Sequence, residues 1–236
     1  MLSENFINKT VVWFERVIEK IDSEKIDCAS DFDWTSSLES ELVLLSQEIE
    51  AIKADIANIP NFQDVSYSQK SITDDDKWKV FVFHAFKKRI SANCNSYPQT
   101  TRLIETIPGM TSAMFSILLP NKHIPSHRGP YKGILRLLLP VKMPRNVDQC
   151  YIKIKGKPYY WQEGKCFIFD DSIEHEVFNN TNEIRIALFV DFYRPLAFPF
   201  NILNRIIYHF ILKTKKVTDT QNKIDDIAQA LRINVR

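Results

Sequence analysis

The sequence predicts a mainly β fold with flanking helices, its core a sandwich or barrel of the jelly-roll kind. Three observations carry that expectation. Beyond the turn dipeptide Pro108-Gly109, short β-rich runs follow one another, separated by Gly, Pro, Asn and Asp clusters. Ahead of it, apolar residues recur with the period of a helix. After Phe198 the helical pattern returns.

Taken in order, residues 6–21 place Phe6, Thr10, Trp13, Phe14, Val17 and Ile21 on one amphipathic helix. Leu38, Leu42, Leu45, Ile49, Ile52 and Ile56 then alternate steps of four and three. Ser36 and Glu39 form a capping box at the start of that seam, and Pro60 ends it. So short a seam suits a helix packed on its own domain, with a coiled-coil dimer as the alternative. Trp78–Phe86 fits helix and strand equally. The β-rich runs are Ala113–Leu119, Ile134–Val141, Tyr151–Ile154, Lys165–Phe169 and Ile184–Phe192. No internal repeat or low-complexity segment interrupts them. The chain therefore divides into a helical segment at 1–60 packed on the core, a β domain at 61–197 and a helical tail at 198–236.

Composition bounds the function. The 236 residues are 44% hydrophobic and 25% charged with a formal net charge of +2, the profile of an ordinary globular protein. No nucleic-acid partner is expected, because Lys213, Lys215 and Lys216 form the only local basic excess. Cys28, Cys94, Cys150 and Cys166 lie far apart with no C-x-x-C pair, which excludes a zinc ribbon or redox motif and fits reduced thiols. The N-terminal residues carry too many charges for a signal peptide, and no stretch is long enough to span a bilayer, so a cytoplasmic location is expected.

Two of the five histidines sit where chemistry is expected. His127 lies in HIPSHRGPYKG between two β-rich runs, and His175 in FDDSIEHEVFNN just after another. Neighbouring strand ends of a jelly roll open on one mouth, where two imidazoles could ligate a divalent transition metal. Spacing alone fits surface histidines as well. Arg136 in ILRLLLPV and Arg185 in IRIALFVDF interrupt apolar strands. A guanidinium there is costly to bury without an anion, and its fork matches a carboxylate. An edge-strand arginine facing solvent is the alternative for each. Together the four suggest a metal beside a small dicarboxylate. Asp170, Asp171 and Glu174 crowd His175, either orienting its ring or bonding turn amides. His123, His84 and His209 are not expected to be ligands.

The stretch Phe115–Leu196 resembles the catalytic domain of aspartyl/asparaginyl β-hydroxylases. The resemblance rests on H-x-G-P followed by an arginine, and on W-x-E-G-K…F-D-D-S-x-x-H-E-V followed by R-x-x-x-x-V-D. Weaker likeness in IPNF, ITDDDKWK and PQTTRLIETIPG extends it to 35–196. The resemblance implies a double-stranded β-helix, a jelly-roll (cupin-like) variant. It implies an iron(II)- and 2-oxoglutarate-dependent dioxygenase that uses O2 to hydroxylate an unactivated C–H bond. By position it makes His127 and His175 the iron ligands, and Ser116, Arg136 and Arg185 the 2-oxoglutarate contacts. Gly129 stands where most related oxygenases have a third, carboxylate ligand, and the family shares that glycine. Leu138 is a departure, since family members often carry a histidine there. The substrate class stays open among amino acid, peptide and lipid acyl chain. A jelly roll that binds a metal or small acid without catalysis is the rival.

The tail adds one expectation. As a helix from Ile202, it puts Ile202, Leu203, Ile206, Ile207, Phe210 and Ile211 on one side and Asn204, Arg205, Tyr208 and His209 on the other. Residues 198–216 could then lie peripherally in a membrane interface, lysines toward anionic headgroups. The ordinary alternative is a helix packed on the jelly roll.

Overall fold

A computed structural model describes residues 3–66 and 72–233, so positions 1–2, 67–71 and 234–236 of the three expected segments lie outside the described residues. The strands are β1 (Trp78–Ala85), β2 (Lys88–Arg89), β3 (Met110–Leu118), β4 (Lys122–His127), β5 (Ile134–Lys142), β6 (Cys150–Ile154), β7 (Lys157–Tyr160), β8 (Phe167–Phe169), β9 (His175–Asn179) and β10 (Arg185–Tyr193). They form a six-stranded sheet of order β2-β1-β3-β10-β5-β8 and a four-stranded sheet of order β4-β9-β6-β7. Every strand pairing is antiparallel. From β3 onward the chain changes sheet at each step except the β6–β7 hairpin. That winding is the double-stranded β-helix.

The larger sheet is buried on both faces. Leu135, Leu137 and Leu139 of β5, with Phe115, Leu188 and Val190, meet a helical layer that contributes Leu38, Leu45, Ile49 and Ile52. Met114, Leu138 and Phe189 point the other way, into the space between the sheets, where Ile152, Phe169 and Val177 meet them. A strand covered on both sides reads as an unbroken apolar run, which is why ILRLLLPV shows no alternation. The same pleat places Arg136 and Arg185 on the inner face. The 78–86 segment resolves as strand: Phe81 and Phe83 face the helices, Val80 and Val82 the intersheet core.

The helices are α1 (Glu4–Ile21), α2 (Trp34–Ser40), α3 (Ser46–Ala54), α4 (Phe62–Val65), α5 (Ser91–Ser96), α6 (Pro98–Glu105), α7 (Phe200–Ile211) and α8 (Lys215–Ile233). Ser3 caps α1, its hydroxyl accepting from the Phe6 amide. The expected single seam is instead broken by a 3-10 stretch at Glu41–Leu45 between α2 and α3. Its capping box does not form. Glu39 accepts from the Cys166 amide at 2.8 Å and from Lys165 Nζ at 2.8 Å, so its carboxylate is committed to the sheet. All four cysteines are free and buried. No described helix is long and apolar enough to cross a membrane.

α7 corrects the expected division of its faces. Asn204, Ile207 and Tyr208 are buried, while Ile202 and Ile206 are about half exposed at 50% and 47%. Asn204 turns inward because it completes a polar pair: Tyr131 Oη donates to its Oδ1 at 2.7 Å and its Nδ2 donates to the Gly133 carbonyl at 2.7 Å. The helix thus packs on the fold, alongside α1, and still presents two isoleucines outward.

Candidate active site

β4 and β9 pair so that His127 and His175 are register partners, their ring centroids 4.2 Å apart. Each ring is fixed by the residue two positions before it. His127 Nδ1 bonds the Pro125 carbonyl at 2.8 Å and His175 Nδ1 the Ile173 carbonyl at 2.8 Å. A carbonyl accepts only, so each Nδ1 carries the proton and each Nε2 keeps its lone pair. Burial, reinforced for His127 by the neighbouring imidazole, holds both pKa values down at about 4. Both rings are therefore neutral at pH 7, the form that ligates a metal. His123 does not join them; it is exposed, stacks on Phe178 and pairs with Glu176 at 3.1 Å.

Beside the pair lies Asp171, with Oδ1 3.4 Å from His175 Nε2. It takes the space that a side chain at position 129 would occupy, since a β-carbon added to Gly129 would collide with its carboxylate. The Gly129 amide donates to the Asp171 carbonyl at 2.8 Å, locking the two loops together. Asp171 also accepts from Arg136. The other edge of the Arg136 fork holds Asp191 bidentately, Nε to Oδ1 at 2.9 Å and Nη2 to Oδ2 at 3.2 Å. The guanidinium lies 3.9 Å from the Phe189 ring centroid. The anion expected for Arg136 is therefore supplied by the protein's own carboxylates. Glu174 faces away, accepting from Ser126 and Arg128.

Arg185 differs. It is 2% exposed and, among the described residues, bonds Ser116 alone, from Nη1 to the carbonyl at 3.3 Å and to Oγ at 3.4 Å. Its Nε is buried without a hydrogen-bond partner, and no carboxylate pairs with it among the described residues. Trp161 covers one face of the guanidinium at 4.4 Å. Trp78 Nε1 donates to Ser116 Oγ at 3.1 Å. Burial pulls the Arg185 pKa down to about 10. A buried cation with an open donor is a site built for an anion.

His127, His175, Arg136, Arg185 and Ser116 all line one cleft between the sheets. Leu138 lines it too, adding an apolar contact where a histidine would add a polar one. Two adjacent neutral imidazole nitrogens suit a divalent transition metal, and Arg185 suits a carboxylate in the same cleft. Among the described residues no cluster of three or more His, Cys, Asp or Glu is arranged to hold a metal. The metal would rest on the two histidines. The residues that the sequence reading left out are Asp191, Trp78 and Trp161. Asp191 carried a usable signal: it is a charge inside an apolar strand, and it is the register partner of Arg136. The two tryptophans stand in the motif stretches W-x-E-G-K and ITDDDKWK, which assign them no role of their own.

The family model described as aspartyl/asparaginyl beta-hydroxylase matches residues 39–195. The chain is 36% identical over 212 residues to the ornithine lipid ester-linked acyl 2-hydroxylase of Rhizobium tropici, covering 89% of this chain and 75% of that protein. It is 30% identical over 135 residues to the human aspartyl/asparaginyl beta-hydroxylase, covering 55% of this chain but only 18% of that protein. Among solved structures, a Pseudomonas putida prolyl-4-hydroxylase aligns at TM-score 0.44 and 14% identity, covering 66% of this chain and 88% of that one.

Proposed function

The chain belongs to the aspartyl/asparaginyl beta-hydroxylase family and is a hydroxylase, and from that premise we propose that it is iron(II)- and 2-oxoglutarate-dependent and acts on a lipid acyl chain. The observation that carries the co-substrate assignment is Arg185, a buried guanidinium with an orphaned Nε and no counter-ion among the described residues. It would hold the far carboxylate of 2-oxoglutarate, with Ser116 oriented toward the same group by Trp78. His127 and His175 would hold the iron through Nε2, each ring aimed by its carbonyl bond. Bound iron would supply the oxygen chemistry that breaks an unactivated C–H bond, which no side chain here can do.

The chain's own part is position and shelter. Asp171 lies within reach of the His175 edge and of any water bound there, and Arg136 holds it in place. Arg136 therefore acts through Asp171 and Asp191, and any contact of its own with the co-substrate would be made from that fixed position. Phe169, Ile152, Val177 and Phe189 dry the cleft walls, which strengthens each of these polar contacts. The acyl reading draws on the Rhizobium relative, of which the chain covers three quarters.

Anaerobic addition of Fe(II) and 2-oxoglutarate together should give a visible charge-transfer band that neither gives alone. In air and with an acyl lipid supplied, 2-oxoglutarate and O2 should be consumed to give succinate, CO2 and the hydroxylated lipid. Folded protein that gives neither band nor succinate removes the reading.

A further inference from the structure

We infer that a second cavity, opening off the imidazole pair, is a sleeve for a single acyl chain. The inference rests on the hydroxylase reading above and says where its substrate lies. The cavity holds about 640 Å³ and shares His127, Arg136 and Phe189 with the catalytic cleft, so the two adjoin at the imidazole pair. One wall is the inner face of the large sheet, where Ser116, Met114 and Ser112 follow one another along β3 from the Arg185 end outward. At about 3.3 Å per residue this wall runs roughly 13 Å. The opposite wall is helical: Ile7 and Val11 of α1, Ile211 of α7, Val217 and Ile224 of α8.

The lining selects the occupant. The charges that face the cavity near the imidazoles are paired, Arg136 with Asp191 and Asp171, and the exposed Arg128 with Glu174 at 3.4 Å. His84, farther along β1, has its Nε2 3.4 Å from Glu105, while its buried Nδ1 has no hydrogen-bond partner. Between these points the wall is chiefly Val82, Met114, Phe189, Ile134, Val217 and Ile224. A peptide threaded here would bury N–H and C=O groups without partners. A methylene chain makes no such demand. The helices that wall the cavity also present apolar side chains outward: Phe6 and Trp13 of α1 are 54% and 53% exposed, beside the two isoleucines of α7. Exposed Lys216 stands at the cavity rim. A membrane lipid could meet this surface, keep its headgroup outside and pass one chain between α1, α7 and α8 to the imidazole pair.

The test uses the full chain and saturated fatty acids of increasing length, which displace a fluorescent polyene fatty acid. Affinity should rise about fourfold per added methylene until the sleeve is full, then level off. Thr220→Trp on α8 and Val11→Trp on α1 fill it from two half-exposed helices, where a larger side chain should be tolerated. Each should move the plateau to shorter chains, with the melting temperature and the Fe(II)/2-oxoglutarate band unchanged. Two results overturn the sleeve. One is a wild-type chain-length series that is flat or that both folded variants leave unchanged. The other is displacement of the probe by an apolar peptide as readily as by a fatty acid. A missing charge-transfer band with the series intact would overturn the hydroxylase reading alone.

Discussion

Replacing Arg185 by methionine should abolish 2-oxoglutarate binding and make the protein more stable. In the unliganded protein, burial lowers the Arg185 pKa from 12.5 to about 10. At about 1.36 kcal/mol per unit, holding that charge costs roughly 3 kcal/mol. Methionine removes the cost and keeps much of the volume. It forfeits the contact with Trp161, worth about 2 kcal/mol for a desolvated pair, and the bonds to Ser116. Breaking those bonds is cheap, because Ser116 Oγ still accepts from Trp78. The balance is a gain of about 1 kcal/mol, or roughly 2–4 °C in Tm for a chain of this size. Arg185→Lys is the companion, keeping charge but losing the fork. It should weaken 2-oxoglutarate by about tenfold to a hundredfold, with iron affinity unchanged. Differential scanning fluorimetry reads the first effect and anaerobic titration the second. An Arg185→Met protein that melts well below wild type would make the arginine a structural member of the sheet. Unchanged 2-oxoglutarate affinity in either variant would move the co-substrate elsewhere.

Other expectations follow from the same geometry. His127→Ala and His175→Ala should each lose bound iron by elemental mass spectrometry with the circular dichroism intact; full occupancy in either removes that residue from the ligand pair. Metal-free protein should lose stability as pH falls. The folded pKa of His175, about 4, lies below its unfolded value of 6.5. Its contribution is therefore whole above pH 6.5 and lost on the way down to pH 4. The loss is up to about 3 kcal/mol. Urea midpoints that are flat across that window contradict the burial of a neutral ring. Ile202→Asp with Ile206→Asp should abolish co-sedimentation with anionic vesicles at unchanged Tm, since both side chains already face out. Wild-type protein that ignores vesicles would end the membrane reading.

The sequence and structure agree where the signal is two-dimensional and part where it depends on partners distant in the chain. The five apolar runs became β3, β5, β6, β8 and β10 because each is buried on at least one face. β2, β4, β7 and β9 show no such run because they are short and carry polar residues. His127 and His175 were found as motif positions, but their pairing across β4 and β9 is a matter of register. Arg136 and Arg185 look identical by the criterion of a cation in an apolar strand. Only the fold separates them, by setting Asp191 and Asp171 against Arg136 and, among the described residues, no carboxylate against Arg185. Asn204 shows the converse limit: a polar residue on an amphipathic helix reads as outward until Tyr131 and Gly133 are seen to need it.

That limit bears on Gly129. By sequence it is a vacancy in a three-ligand site, which an aspartate would seem to fill. By structure the place is taken. A β-carbon at Gly129 would sit 3.1 Å from the Asp171 β-carbon and overlap its carboxylate. Turning the Asp171 carboxylate aside would break its bond to Arg136, the two β-carbons would still have to part by a few tenths of an ångström, and the hydrogen bond from the Gly129 amide to the Asp171 carbonyl resists that parting. Gly129→Asp should therefore destabilise the protein by about 1–3 kcal/mol, the cost of an overpacked interior. It should also loosen Arg136 by displacing its partner. Iron affinity should fall, although a third carboxylate has been added. Pairing it with Asp171→Gly frees the space and lets the new carboxylate stand in for the old one. The double variant should regain stability and iron, with a coupling energy of at least about 1 kcal/mol in a double-mutant cycle. If Gly129→Asp alone is as stable as wild type and binds iron more tightly, Asp171 does not occupy that space in the working protein.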